Sequence, residues 1–163
     1  MTLGTPYAQK GAVSFSPEVQ SEKSDFFADN IPYYSTYSGG TLEGDLEVAK
    51  YDDAFKTQFL GYQSLEDGGL AAVKNANKPN VYIAFQVEGD TESRRVILYN
   101  CALGGINREY NTIEESKEPA TETIPVTCNG DNATGVTMAS YKPGDDGYDT
   151  LFTEPAAPVI ASA

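Results

Sequence analysis

From Thr41 to Lys50 the chain reads TLEGDLEVAK, and its polarity flips at nearly every step. Leu42, Leu46 and Val48 fall on one face, with Gly44 among them. Glu43, Asp45 and Glu47 fall on the other. A period of two is what a strand shows when one face is buried and the other is wet. The same period recurs from Asn80 to Glu88, NVYIAFQVE, where Val81, Ile83, Phe85 and Val87 oppose Tyr82, Ala84 and Gln86. Arg94–Leu103, RRVILYNCAL, is rich in β-branched and aromatic residues. Gly89-Asp90 lies between these two runs, which predicts a hairpin. A shorter strand is expected at Ala12–Phe15. Glu122–Cys128 and Thr134–Lys142 read as a further hairpin across Asn129-Gly130-Asp131-Asn132, because Asn and Gly tolerate positive φ. Pro125 donates no ladder hydrogen bond, so its strand is expected at an edge or on a bulge.

One helix breaks the β pattern. Asp52 or Asp53 caps it, Ala54–Leu60 forms its body, and Gly61 supplies a left-handed stop. Phe55 and Phe59 are four apart and share a face directed at the sheet. Barely two turns long, it depends on packing to persist. Other stretches read as irregular. Pro17–Gly40 has few aliphatic residues, yet holds Phe26, Phe27, Tyr33, Tyr34 and Tyr37. Gln63–Pro79 is a polar connection. Beyond Gly144 the chain is acidic, then ends in the Pro- and Ala-rich Pro155–Ala163.

A length of 163 residues sets one domain, placed at 1–154 with a tail at 155–163. A net charge of −13 argues against binding phosphate backbones or anionic membranes. There is no histidine, which removes Ser-His and Cys-His nucleophile pairs and imidazole metal ligands. Met1–Gly11 has no apolar core behind a basic start, so secretion by the standard route is not expected. Cys101 and Cys128 are then read as reduced thiols, although both sit in strand-like segments.

Most candidate sites dissolve on inspection. Asp145-Asp146-Gly147 with Asp149 lacks the spacing of a calcium loop and reads as a solvated turn. Asn132-Ala133-Thr134 is a chance glycosylation match. Gly68-Gly69 and Gly104-Gly105 are turns outside any phosphate-loop motif. No pair of carboxylates is singled out for acid–base work, so no catalysis, cofactor or metal is called for. Two features remain. The acidic row Glu43, Asp45 and Glu47 is either a plain solvated strand face or a surface with a purpose. The aromatics Phe26, Phe27, Tyr33, Tyr34 and Tyr37 lie in a long connection, either as a mini-core folded over the domain or as an interface, the role such long aromatic connections usually take.

Three blocks, in order, resemble the major tail proteins of long-tailed, non-contractile bacteriophages. They are FFADNIPYYS at Phe26–Ser35, TLEGDLEVAKYDDAFKTQFLGY at Thr41–Tyr62, and VYIAFQVEGDTESRRVILYNCAL at Val81–Leu103. The opening GTPYAQKGAVSFSPE at Gly4–Glu18 also fits. The resemblance implies a mainly β subunit, a sandwich or barrel-like tail tube fold with one flanking helix, a long loop and terminal arms. It implies a non-enzymatic virion protein, assembled in the host cytoplasm, whose hexameric rings stack into a tube. The implied partners are further copies of itself, the tape-measure protein, and the tail terminator and distal tail proteins, with DNA passing through unbound. On this reading Glu43, Asp45 and Glu47 line the bore, and the Phe26–Tyr37 segment ties subunits together. The competing reading is a monomeric β-sandwich that binds a glycan or a surface through its tyrosines.

Overall fold

The computed structural model describes residues 3–28, 31–108 and 120–161, with backbone alone over 22–28 and 31–38. The strands are β1 Ala12–Phe15, β2 Glu18–Ala28, β3 Ile31–Val48, β4 Gln63–Ser64, β5 Leu70–Ala71, β6 Val81–Gln86, β7 Arg95–Leu103, β8 Asn107–Arg108, β9 Glu122–Cys128 and β10 Met138–Tyr141. The helices are α1 Asp53–Phe59 and α2 Asp146–Thr150. Apart from the small β4–β5 hairpin, the strands form one antiparallel sheet.

The alternation in β3 does what its period requires. Leu42 and Val48 are buried and Leu46 packs on the same core. On one side, β3 pairs with β9 from Leu42↔Cys128 to Val48↔Glu122. On the other it pairs with β1 and with the base of β2, where Glu18 lies opposite Glu43. Between β1 and β2 the chain steps over β3 at Ser16-Pro17. A Cβ on Gly44 would sit 2.5 Å from the Ser16 carbonyl oxygen, so that crossing requires glycine there.

Pro17–Gly40 differs from the irregular segment expected of it. β2 and β3 form one long hairpin, and from Ser21↔Gly39 to Ala28↔Ile31 they pair, among the described residues, only with each other. The ribbon leaves the sheet at a bulge, with Gly39 at φ 115° and Gly40 at φ 130°.

The segments Glu122–Cys128 and Thr134–Lys142 contain strands, but they are not a hairpin. Cys128 is paired with Cys101, and Met138 with Leu98. β9 and β10 therefore lie in line along one edge of β7, and the Asn-Gly segment opens an excursion rather than a reversal. Its foot is Asn100, at φ 54°. The Asn100 side chain donates to the Gly130 carbonyl (2.9 Å) and accepts from Asn80 (2.7 Å). β6 and β10 both pair with Arg95–Leu98, so they occupy opposite edges of β7.

Pro125 is also not at an edge. β9 lies between β3 and β7, and Pro125 is in register with Asp45. Its carbonyl accepts from the Gly104 amide at 2.8 Å, so its nitrogen faces the same side, where the chain is passing from β7 to β8 and forms no ladder. The missing N–H thus costs the β3 ladder nothing. A Cβ on Gly104 would lie 2.4 Å from the Pro125 ring. The expectation of free thiols is corrected too: Cys101 and Cys128 are joined in a buried cross-strand disulfide. Spacing along the chain could not reveal a register that sets them face to face.

The main core lies on the apolar face of β3, β9 and β7, closed by α1. Asp52 caps α1 by accepting from the Phe55 amide at 2.7 Å, and Gly61 ends it at φ 68°. Tyr51 stacks on Phe55 (4.8 Å), Phe55 contacts Phe59 (5.1 Å), and Tyr7 packs on both. Burial and a hydrogen bond from the Tyr51 hydroxyl to the Leu46 carbonyl go together there (2.8 Å). A second, smaller core covers the other face of β6, β7 and β10. Ile97, Tyr99 and Leu151 are its buried members, packed by Leu3, Tyr82, Ala139 and Tyr141. The acidic segment after Gly144 is thus partly ordered. Arg95 lies over the Tyr148 ring at 4.0 Å and over Phe152 at 4.7 Å, docking α2 on the sheet.

Candidate functional site

The polar face of β3 is forced outward by its apolar face. With Leu42 and Val48 committed to the core, Glu43, Asp45 and Glu47 project from the opposite side. Glu43 and Asp45 are exposed, and among the described residues neither has an ion-pair partner. Their register neighbours supply no cation: Glu18 and Thr127 flank Glu43, and Pro125 lies beside Asp45. Glu18 was missed in the sequence, because only the β2–β3 register brings it to this face. Two carboxylates directly opposite one another on a sheet are unfavourable for the lone subunit. The face is therefore not explained by monomer stability.

Glu47 is held differently. Its carboxylate accepts from the Thr121 hydroxyl at 2.5 Å and the Ser14 hydroxyl at 3.0 Å. These bonds, Thr121 first, hold its pKa below the ordinary glutamate range. Glu43, Asp45 and Glu47 thus share one sheet face, but Glu47 is tethered across β1 and the start of β9 while the other two have no side-chain partner among the described residues.

The second candidate, the aromatic set, lies on the hairpin. Phe26 is in register with Tyr34, Phe27 with Pro32 and Lys23 with Tyr37. The side chains of Phe26, Phe27, Tyr33, Tyr34 and Tyr37 lie outside the described residues. The backbone places them on a ribbon of about 25 Å beyond the sheet, from eight residues at ~3.3 Å each. At its base a Cβ on Gly39 would meet the Gln20 carbonyl oxygen at 2.7 Å.

No group of three or more Asp, Glu or Cys among the described residues is arranged around a metal. Asp145 turns its carboxylate back to the Lys142 amide (2.8 Å), and Asp131 accepts from the Thr134 amide and hydroxyl. The calcium-like and glycosylation-like stretches are thus turn and cap residues. No helix among the described residues is long and apolar enough to cross a membrane.

The chain is thus a β-rich subunit with an acidic row on β3, strand edges unpaired among the described residues, and a projecting β2–β3 ribbon. The family described as phage tail tube protein matches residues 9–143, and the chain belongs to that family. It is a structural protein of the phage tail. Among solved structures it is similar to the cryo-EM structure of the anti-feeding prophage cap, the tube-terminating cap. That likeness has a TM-score of 0.56 at 10% identity, over 85% of each chain, and carries the fold alone. No curated protein matches the sequence.

Proposed function

We propose that copies of this chain close into hexameric rings, and that the rings stack into the tail tube through which viral DNA leaves. The observation that carries the reading is the acidic face of β3, with Glu43 and Asp45 exposed and unpaired among the described residues and Glu18 beside Glu43. A conduit for DNA works by not holding it. Phosphates are repelled by carboxylates, whereas lysines and arginines would release counterions and bind the duplex. Glu43, Asp45 and Glu47 line the bore in this reading, and Phe26, Phe27, Tyr33, Tyr34 and Tyr37 contact neighbouring subunits. The tape-measure protein fills the channel before ejection, and the tail terminator and distal tail proteins meet the tube's ends. The protein's place is the virion tail, after assembly in the host cytoplasm.

The rings need a heterologous contact, one patch against a different patch on the next copy. Unpaired strand edges are suited to it, since closing a sheet around an axis removes them. Sedimentation and electron microscopy of the concentrated protein test the proposal. Rings or tubes are expected. Monodisperse monomers at every concentration, above all ones that bind a glycan, would overturn it in favour of a binding module.

A further inference from the structure

Where the sheet splits, two strand edges are left open. Up to Leu42↔Cys128, β3 is paired with β9. Beyond that point β3 departs at Gly39-Gly40 with β2 as its partner, while β10 continues the line of β9 along β7. Among the described residues β10 pairs with β7 alone. The Tyr99 amide donates to the Thr137 carbonyl at 3.0 Å, which sets the phase of this ladder. Thr137, Ala139 and Tyr141 turn their backbone polar groups toward β7, and Met138 and Ser140 turn theirs outward. Met138 is 51% exposed.

This edge is guarded only by its shortness and by Lys142-Pro143 just past its end, with no charge within the strand itself. Strand edges are ordinarily guarded by charge, proline or a covering segment. The β1–β2 edge carries Lys10, Pro17 and Glu18. The β6 edge is met by β1 across the curl of the sheet, where Phe15 contacts Phe85. From Asn132 through Tyr141 the sequence NATGVTMASY carries no charge and no proline, in a chain with a net charge of −13.

We infer that the outer edge of β10, at Met138 and Ser140, is the seam on which a strand of a second copy adds. The inference rests on the tube reading above and names the strand that makes the joint. The occupant is another copy because the tube proposed above repeats this chain. Its contact is made through backbone N–H and C=O groups, which only an extended chain can meet in series.

The test uses the intact chain and three variants. Ser140→Pro removes an outward N–H and no bond to β7; Ser140→Thr keeps the N–H. With wild type and Ser140→Thr, most protein is expected in the pelletable tube fraction. With Ser140→Pro that fraction falls at least tenfold, while the monomer keeps its thermal melt. Should Ser140→Pro fail to fold, Met138→Lys carries the test, since it places a charge on an exposed edge position. Hydrogen exchange reads the joint directly: the Met138 and Ser140 amides exchange freely in the monomer and become protected in the tube. Wild-type tubes in which these amides stay unprotected, or a folded Ser140→Pro or Met138→Lys variant that assembles like wild type, overturn the inference and leave the tube reading standing. Wild type that forms no assembly overturns the tube reading itself.

Discussion

Phe15 on β1 and Phe85 on β6 meet edge to face, ring centroids 5.6 Å apart and planes at 89°. Their strands are separated by β3, β9 and β7 in the hydrogen-bonded order, so the sheet must curl until its two margins approach. That curl wraps the main core and shields the β6 edge. Phe15→Ala and Phe85→Ala should each cost about 2 kcal/mol, less than the ~3–5 kcal/mol of a fully buried ring because both are only half-buried. The double variant should cost about 1 kcal/mol less than the sum, since the pair interacts beyond its area. Urea unfolding of the four proteins measures this; strict additivity would contradict the contact.

The Cys101–Cys128 bond closes a loop of sequence separation 27. A loop of that size restricts the unfolded chain enough for a stabilisation of about 3–4 kcal/mol. The Cys101→Ala, Cys128→Ala double variant should show a lowered urea midpoint and a somewhat larger m-value, because the unfolded chain without the cross-link exposes more surface. Alkylation of denatured, unreduced wild type should label neither cysteine. Two labelled thiols would contradict the bridge.

Acid should unlock the carboxylates that are bonded in the fold. Glu47 is held low by the Thr121 and Ser14 hydroxyls, Asp52 by the Tyr7 hydroxyl and the Phe55 amide. A carboxyl whose pKa is lowered by folding contributes stability fully above its unfolded value, about 4. It loses that contribution as pH falls through the folded value. Melting temperatures of wild type and Glu47→Gln should therefore differ most above about pH 5 and converge below about pH 4. Curves that stay parallel would contradict the tether. At the other end, burial raises the Tyr51 and Tyr99 pKa values, so stability should fall as pH climbs past about 10.

The aromatic ribbon gives an assembly prediction. Tyr33 and Tyr34 lie on the part of β3 that pairs only with β2, beyond the sheet that carries the core. Tyr33→Ala with Tyr34→Ala should leave the monomer's unfolding midpoint nearly unchanged and lower tube yield sharply, at about 2 kcal/mol or more per interface anchor. Circular dichroism and pelleting read the two outcomes. A monomer that loses its fold would instead place these rings in a private core.

Much of this fold was legible because short-range physics sets it. The alternation of Leu42, Leu46 and Val48 against Glu43, Asp45 and Glu47 reports a half-buried strand. Asp52, Phe55, Phe59 and Gly61 mark the cap, face and stop of α1 within ten residues. What stayed hidden depends on register. Asn129-Gly130 signals positive φ but not whether the chain reverses or resumes along β7. Pro125 reports a missing donor, and only the break after Leu103 shows how an interior strand tolerates it. Tyr33, Tyr34 and Tyr37 sit in a strand whose partner is another polar strand, so no apolar alternation announced it. The acidic row was visible as a row, but Glu18, Ser14 and Thr121 reach it through pairings far apart in sequence.

The most direct measurement of the central claim is a cryo-EM reconstruction of the assembled tube at side-chain resolution. It should show a hollow, closed β-barrel with Glu43 and Asp45 directed at the axis. A tube with those carboxylates on its outer wall, or a protein that stays monomeric at every concentration, would contradict it.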